Sequence, residues 1–218
     1  MAASTIIDLR KLLAERFPEE PLSVADRLVT GLPIFDQTLE GGLMKGAITE
    51  LSSPFPSAGS ATIIAGLLER AAADGYFIAL IDGRDSFDPQ PMSDQALRHL
   101  LWVRCHRAPE AMQAADLLLR DGNFPLVVLD LVLNPLRELG KVPSSNWYRF
   151  QRLVESAPSA FLVVTPRSMI SSAHYKLVLE NRWRLQHLED AAVELRIQLR
   201  VRLQRAQPNK WRRVAMAG

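Results

Sequence analysis

A chain of 218 residues, 48% of them hydrophobic, is long enough to bury a sizeable core in one large domain. Its single cysteine, Cys105, excludes an internal disulfide and a cysteine-cluster metal site, and points to a reducing compartment. A net charge of +2 is too small to mark a nucleic-acid binder by itself, so the placement of charge matters more than its sum.

Asp8, Arg10 and Lys11 interrupt the first apolar residues, so no secretory signal is expected there. No run approaches the ~20 apolar residues of a membrane span. A soluble cytoplasmic protein without membrane contact is expected. Residues 4–17 predict an amphipathic helix with Ile6, Leu9, Leu12, Leu13 and Phe17 on one face. Pro18-Glu19-Glu20-Pro21 ends it. Residues 1–24 therefore read as a helix with a proline-rich linker, and 25–218 as the core.

A short helix is expected around Ile34–Leu39, closed by Gly41-Gly42, and a glycine turn at Gly46 leads into a strand at Ile48. The stretch from Ala47 to Leu68 then reads as strand, loop and helix. Pro54 and Pro56 cannot continue the strand, because proline has no N–H and a fixed φ. A phosphate-binding P-loop, G-x-x-x-x-G-K-[ST], occupies this place in nucleotide-binding α/β domains. With Gly59 as its second glycine, the first falls on Pro54, the Lys on Ser60 and the Ser/Thr on Ala61. The shape of the motif is there, but the groups that bind phosphate and Mg²⁺ are not.

Phe77–Asp82, Pro125–Asp130 and Ala160–Thr165 are continuous apolar runs, the pattern of strands buried on both faces of a parallel sheet. Helices are expected over Asp94–Leu101, Pro109–Arg120 and Trp147–Glu155, a short strand over Leu101–Cys105, and a loop over Leu139–Asn146. Asp82 and Asp130 fall at the carboxyl ends of strands, where ligands bind in open α/β sheets. Both are expected to bond loop backbone rather than metal, with a pairing of Asp130 and Arg84 left open. His99, His106, His174 and His187 show no metal-ligand spacing.

Tyr175–Leu179, Trp183–His187 and Ala192–Leu203 read as antiparallel strands, with Trp211–Ala215 returning after a turn. From Leu195 to the last residue there are seven bases and no acids: Arg196, Arg200, Arg202, Arg205, Lys210, Arg212 and Arg213. On an alternating strand Arg196, Arg200 and Arg202 share one face, and Trp211 adds a planar group. This is the chain's strongest binding signal, for a phosphate backbone or an acidic partner. The competing reading is a sheet edge protected by charge. The fold class expected is α/β: a mainly parallel sheet flanked by helices, with a C-terminal antiparallel extension.

Five pieces in this order resemble the RecA recombinase core, over about residues 25–215. The family's T-G-x-x-x-x-D-x-x-L…G-G-L-x-x-G segment matches Thr30, Gly31, Asp36, Leu39, Gly41-Gly42-Leu43 and Gly46. Its strand and P-loop are similar to Ile48–Thr62, and its F-I-D-A-E-x-x-x-D-P motif to Leu80–Pro89 at Ile81, Asp82, Asp88 and Pro89. Its Walker B strand resembles Leu126–Asp130, and its late hairpin Val193–Val214. The family's water-activating Glu falls on Arg84, and its signalling Gln is missing around Pro166-Arg167. The family's DNA-binding loops fall at Leu139–Asn146 and Arg167–Ala173, and both are short here.

A small RecA-like chain with an eroded ATP site is similar to the ImuA family. That resemblance implies a non-catalytic accessory role in SOS-induced translesion DNA synthesis. It implies the polymerase homologue ImuB and RecA as partners, single-stranded DNA as a further candidate, and no cofactor. Two alternatives stand beside it: a DNA-dependent ATPase with an unorthodox P-loop, and a SulA-like inhibitor of cell division.

Overall fold

The computed structural model describes residues 27–206, apart from 56, 185, 188 and 189. The expected N-terminal helix over 4–17 and the stretch containing Lys210, Trp211, Arg212 and Arg213 lie outside the described residues.

The apolar runs form the strands that carry the fold. These are β1 (Arg27–Leu28), β2 (Leu43–Met44), β3 (Ile48–Ser52), β4 (Ile78–Asp82), β5 (Leu100–Arg104), β6 (Leu126–Asp130), β7 (Ala160–Thr165), β8 (Tyr175–Leu179) and β9 (Val201–Ala206). The helices are α1 (Pro33–Thr38), α2 (Ser60–Asp74), α3 (Asp94–Leu97), α4 (Ala108–Asp121), α5 (Leu136–Leu139), α6 (Ser144–Glu155) and α7 (Ala192–Ile197). Seven strands make one sheet in the order β5-β4-β6-β7-β3-β8-β9. Every pairing in it is parallel except β8 with β9. Every residue of β3, β4 and β7 is buried, as strands covered on both faces must be. One core packs α1 and α2 onto the sheet through Phe35, Ile63, Leu67 and Leu80. The other packs α4 and α6 through Ala115, Trp147, Phe150 and Phe161. The expected α/β fold is the one observed.

The spacing Thr30-Gly31…Asp36 has a local cause. The Asp36 carboxylate accepts from the Thr30 and Gly31 amides at 2.9 and 3.1 Å and from the Thr30 hydroxyl at 2.8 Å. The segment Thr30–Asp36 is thereby folded into the entry of α1. The two-stranded sheet of β1 and β2, absent from the sequence reading, follows beside it. Gly42 makes that pairing possible: its φ is +115°, and a Cβ there would sit 2.2 Å from the Leu28 carbonyl oxygen.

The late segment departs from expectation. β8 pairs parallel with β3 on one side and antiparallel with β9 on the other, so it joins the main sheet. Among the described residues of the expected strand Trp183–His187, Trp183, Arg184, Gln186 and His187 are not in a strand, and Trp183 packs against Gly59. Ala192–Leu203 divides into helix α7 and the start of β9. Its apolar residues recur at intervals of four as well as two, so tertiary contacts decide, and Leu199 (4% exposed), just beyond the helix, enters the core. Arg196 therefore does not share a strand face with Arg200 and Arg202. Two smaller shifts occur: α3 stops at Leu97, and α5 and α6 occupy both ends of the expected loop Leu139–Asn146.

At the centre, Glu50 on β3 is fully buried and stands opposite Lys176 across the parallel β3–β8 pair. Its carboxylate meets the Lys176 ammonium at 3.1 Å and accepts from the Met169 and Ile170 amides at 2.6 and 3.0 Å. The Ser168 and Thr165 hydroxyls complete the set. Removing one member of a buried pair strands the other charge. Glu50→Ala should cost about 3 kcal/mol in urea unfolding. Glu50→Gln, which keeps an acceptor for the amides, should cost clearly less.

Candidate functional site

The turn that follows β3 and opens α2 is the place the sequence singles out. Ser53 continues the strand by donating its amide to the Thr165 carbonyl. Ser57 takes a positive φ of 54°, and Gly59, with φ +102°, precedes the first residue of α2. No side chain caps this helix start. Ser60 and Ala61, at the positions of the P-loop Lys and Ser/Thr, are the first two residues of α2. Pro54 is exposed at the start of the turn.

Apolar side chains from the chain's late segment cover this turn. A Cβ placed on Gly59 would lie 2.9 Å from Leu199 Cδ2 and 2.9 Å from the Trp183 ring. Glycine is required there both by its φ and by that contact. The Trp183 amide donates to the Ser57 carbonyl at 3.2 Å. The Arg182 guanidinium lies 3.8 Å from the centroid of the Phe55 ring. A group approaching the start of α2 from this side meets indole and leucine before it meets backbone N–H.

The two aspartates at the strand ends are used differently. Asp82 is buried and accepts five hydrogen bonds, from the amides of Arg84, Ser86 and Phe87, the Ser86 hydroxyl and the Trp102 indole N–H. Both its oxygens are taken up in holding the loop after β4. Asp130, directly across from Asp82, accepts one hydrogen bond, from the Val132 amide at 3.0 Å. Burial pushes its carboxyl up to about 6; the Val132 bond works against this and the neighbouring Asp82 charge adds to it. Arg84, at the expected glutamate position, sends its guanidinium to the His106 carbonyl at 2.7 Å. It thus bonds that carbonyl rather than Asp130. Among the described residues no group of three acids, histidines or cysteines is placed to hold a metal ion.

The basic stripe is not continuous. Arg196 lies on α7 and forms a two-pronged ion pair with Glu69 on α2. Arg202 on β9 pairs with Glu180. Arg200 and Arg205 are exposed and belong to no salt bridge among the described residues. Cys105 is buried just beyond β5, and burial raises its thiol. A cavity of about 540 Å³ lies on the opposite helical layer, between α4 and the α5–α6 connection. Met112, Leu117, Val142 and Phe150 line it, with Asp116 and Arg149 paired at its rim.

Glu50, Asn181, Trp183 and Leu199 were missed by sequence reasoning. One signal was available: an acid in Ile48–Ser52 and a lysine in Tyr175–Leu179 are each out of place in a buried strand, and opposite charges there call for pairing.

No protein-family model matches the chain. It is 29% identical to the protein RecA of Acinetobacter baumannii over 148 residues, 65% of this chain and 42% of that protein. It is 30% identical to the protein RecA of Cutibacterium acnes over 145 residues, 64% of this chain and 41% of that protein. The chain thus spans about two fifths of the length of these curated relatives. With the mostly parallel seven-stranded sheet, this distant and partial similarity supports a RecA-like chain. Among the described residues, no helix is long and apolar enough to cross a membrane.

The state of Asp130 gives a pH prediction. A carboxyl raised above its ordinary 3.8 favours the protonated form in the folded state. The stability it contributes is complete below about pH 4 and is lost as pH rises through about 6. Asp130→Asn, which keeps an acceptor for Val132, should therefore stabilise the fold at pH 8 by about 2 kcal/mol, each tenfold change in proton affinity being worth about 1.4 kcal/mol. At pH 4 the variant and the parent should melt together.

Proposed function

We propose that this protein is a non-catalytic, RecA-like accessory factor of SOS-induced translesion DNA synthesis, of the ImuA kind. It acts by binding an ImuB-like polymerase homologue and RecA, with single-stranded DNA as a further ligand. The observation that carries the reading is the covered turn at Gly59. Trp183 and Leu199 pack on it, Ser60 and Ala61 stand where a nucleotide-binding loop has Lys and Ser/Thr, and the five bonds to Asp82 leave it no lone pair for Mg²⁺. A helix start supplies about half an elementary charge, too little to hold a triphosphate without those partners. The partial similarity to RecA supports the setting in DNA repair. Exposed Arg200 and Arg205, together with the bases beyond Ala206, support an anionic or acidic partner.

Purified protein should show no ATP turnover above a buffer control, with or without single-stranded DNA. Turnover that disappears in Asp130→Ala would instead make it an ATPase. Ser60→Lys with Ala61→Thr should not restore hydrolysis, because Trp183 and Leu199 still cover the turn and Arg84 still stands at the glutamate position.

Co-purification from the native cell should recover the polymerase homologue or RecA, and recovery of neither would remove the translesion reading. Arg200→Glu with Arg205→Glu should weaken binding to the recovered partner about tenfold at low salt, in line with loss of two steering charges. The melt should barely move, since both residues are exposed.

A further inference from the structure

We infer that the two flanks of the β8–β9 connection, Asn181–Trp183 and Arg196–Arg200, form an internal clamp that takes the place of a ligand on the Gly59 turn. This rests on the non-catalytic reading and extends it: the chain's own side chains pack on the buried Gly59 of the turn.

The flanks are fastened to each other. Asn181, 7% exposed, donates from Nδ2 to the Gln198 carbonyl at 2.8 Å and accepts from the Arg200 amide at 2.6 Å. The Glu180 amide donates to the Arg200 carbonyl at 3.0 Å. These three bonds draw the two ends of the connection into a neck, as in a closed surface loop.

Beyond the neck each flank grips the nucleotide-loop region. From the first, Trp183 and Arg182 hold Ser57 and Phe55. From the second, Leu199 packs on Gly59 and Arg196 is tied to Glu69, two turns into α2. Backbone, apolar and ionic contacts thus converge on a loop that has no side-chain cap of its own. In a nucleotide-binding loop such order comes from bound phosphate; here four side chains of the same chain supply it.

Two further features bear on the clamp. Gly59 admits no side chain, because Trp183 and Leu199 lie directly against it. Arg182 and Arg184 are exposed on the first flank, where a protease can reach them when it loosens.

Hydrogen exchange of the full chain tests this, read on peptides covering residues 53–63, with β4 and β6 as internal references. Without nucleotide, the loop peptides should be protected in the parent. Asn181→Ala, which cuts only the neck, and Leu199→Ala, which removes one grip, should each speed their exchange at least about tenfold while β4 and β6 stay unchanged. Leu199→Met should keep the protection. Trypsin cleavage after Arg182 and Arg184 should accelerate in the same two variants. Loop peptides that exchange freely in the parent would overturn the clamp, and so would variants that lose protection equally in the loop and in β4 and β6. If Leu199→Ala fails to fold, Asn181→Ala decides alone. ATP hydrolysis is measured separately: turnover with an intact, protected loop would sink the non-catalytic reading and leave the neck result standing.

Discussion

A fully buried carboxylate sets the terms for the middle of this fold. Glu50 lies on the interior strand β3, between β7 and β8, where water cannot reach it. Ionised and unpaired, such a group costs several kcal/mol, so it must be surrounded by donors. Those donors come from three places: the end of β7, the loop just after it, and Lys176 on β8. Satisfying one carboxylate therefore folds the 168–170 segment back on the sheet and holds β8 in register beside β3. Once β8 lies there, its continuation at Asn181–Trp183 emerges next to the turn at Gly59. The covering of that turn follows from where Glu50 places β8.

The carboxyl edge of the sheet is largely committed to its own loops. A ligand site needs groups whose bonds are left over for the ligand, and Asp82 has none to spare. Asp85 is bound two-pronged to Arg104, which also stacks on Trp102. Asn134 donates to the Gly83 carbonyl and ties the loop after β6 to the loop after β4. Asp130 accepts from the Val132 amide and burial raises its carboxyl, while the buried Asn134 Oδ1 is left without a hydrogen-bond partner. Polar residues that look like remnants of chemistry, Asp82 above all, thus serve as loop fasteners.

The same accounting applies to the surface bases. Arg196 and Arg202 fasten α7 to α2 and β9 to β8's end, and two-pronged or short pairs of this kind position elements more than they attract partners. Among the described bases of this tract, Arg200 and Arg205 stand exposed outside any salt bridge, and Lys210, Arg212 and Arg213 lie outside the described residues.

Most of the fold was legible in the chain itself. Continuous apolar runs ending in Asp82 and Asp130 determined the buried parallel strands, because only strands covered on both faces tolerate such runs. The Thr30-Gly31…Asp36 spacing determined the entry to α1, since its bonds are local. The nucleotide-like turn, and the chemistry missing from it at Ser60 and Ala61, could be read directly. Tertiary structure decided the rest. Ala192–Leu203 carries two compatible periods, and only the packing of Leu199 and the pairing of Arg196 with Glu69 selected a helix. The partnership of Glu50 with Lys176 depends on two strands 126 residues apart in the chain lying side by side in one register. The cover on Gly59 depends on it too, for no local pattern in Trp183 or Leu199 says which backbone they will meet. Periodicity reports which face of an element is buried; only the sheet order says what buries it.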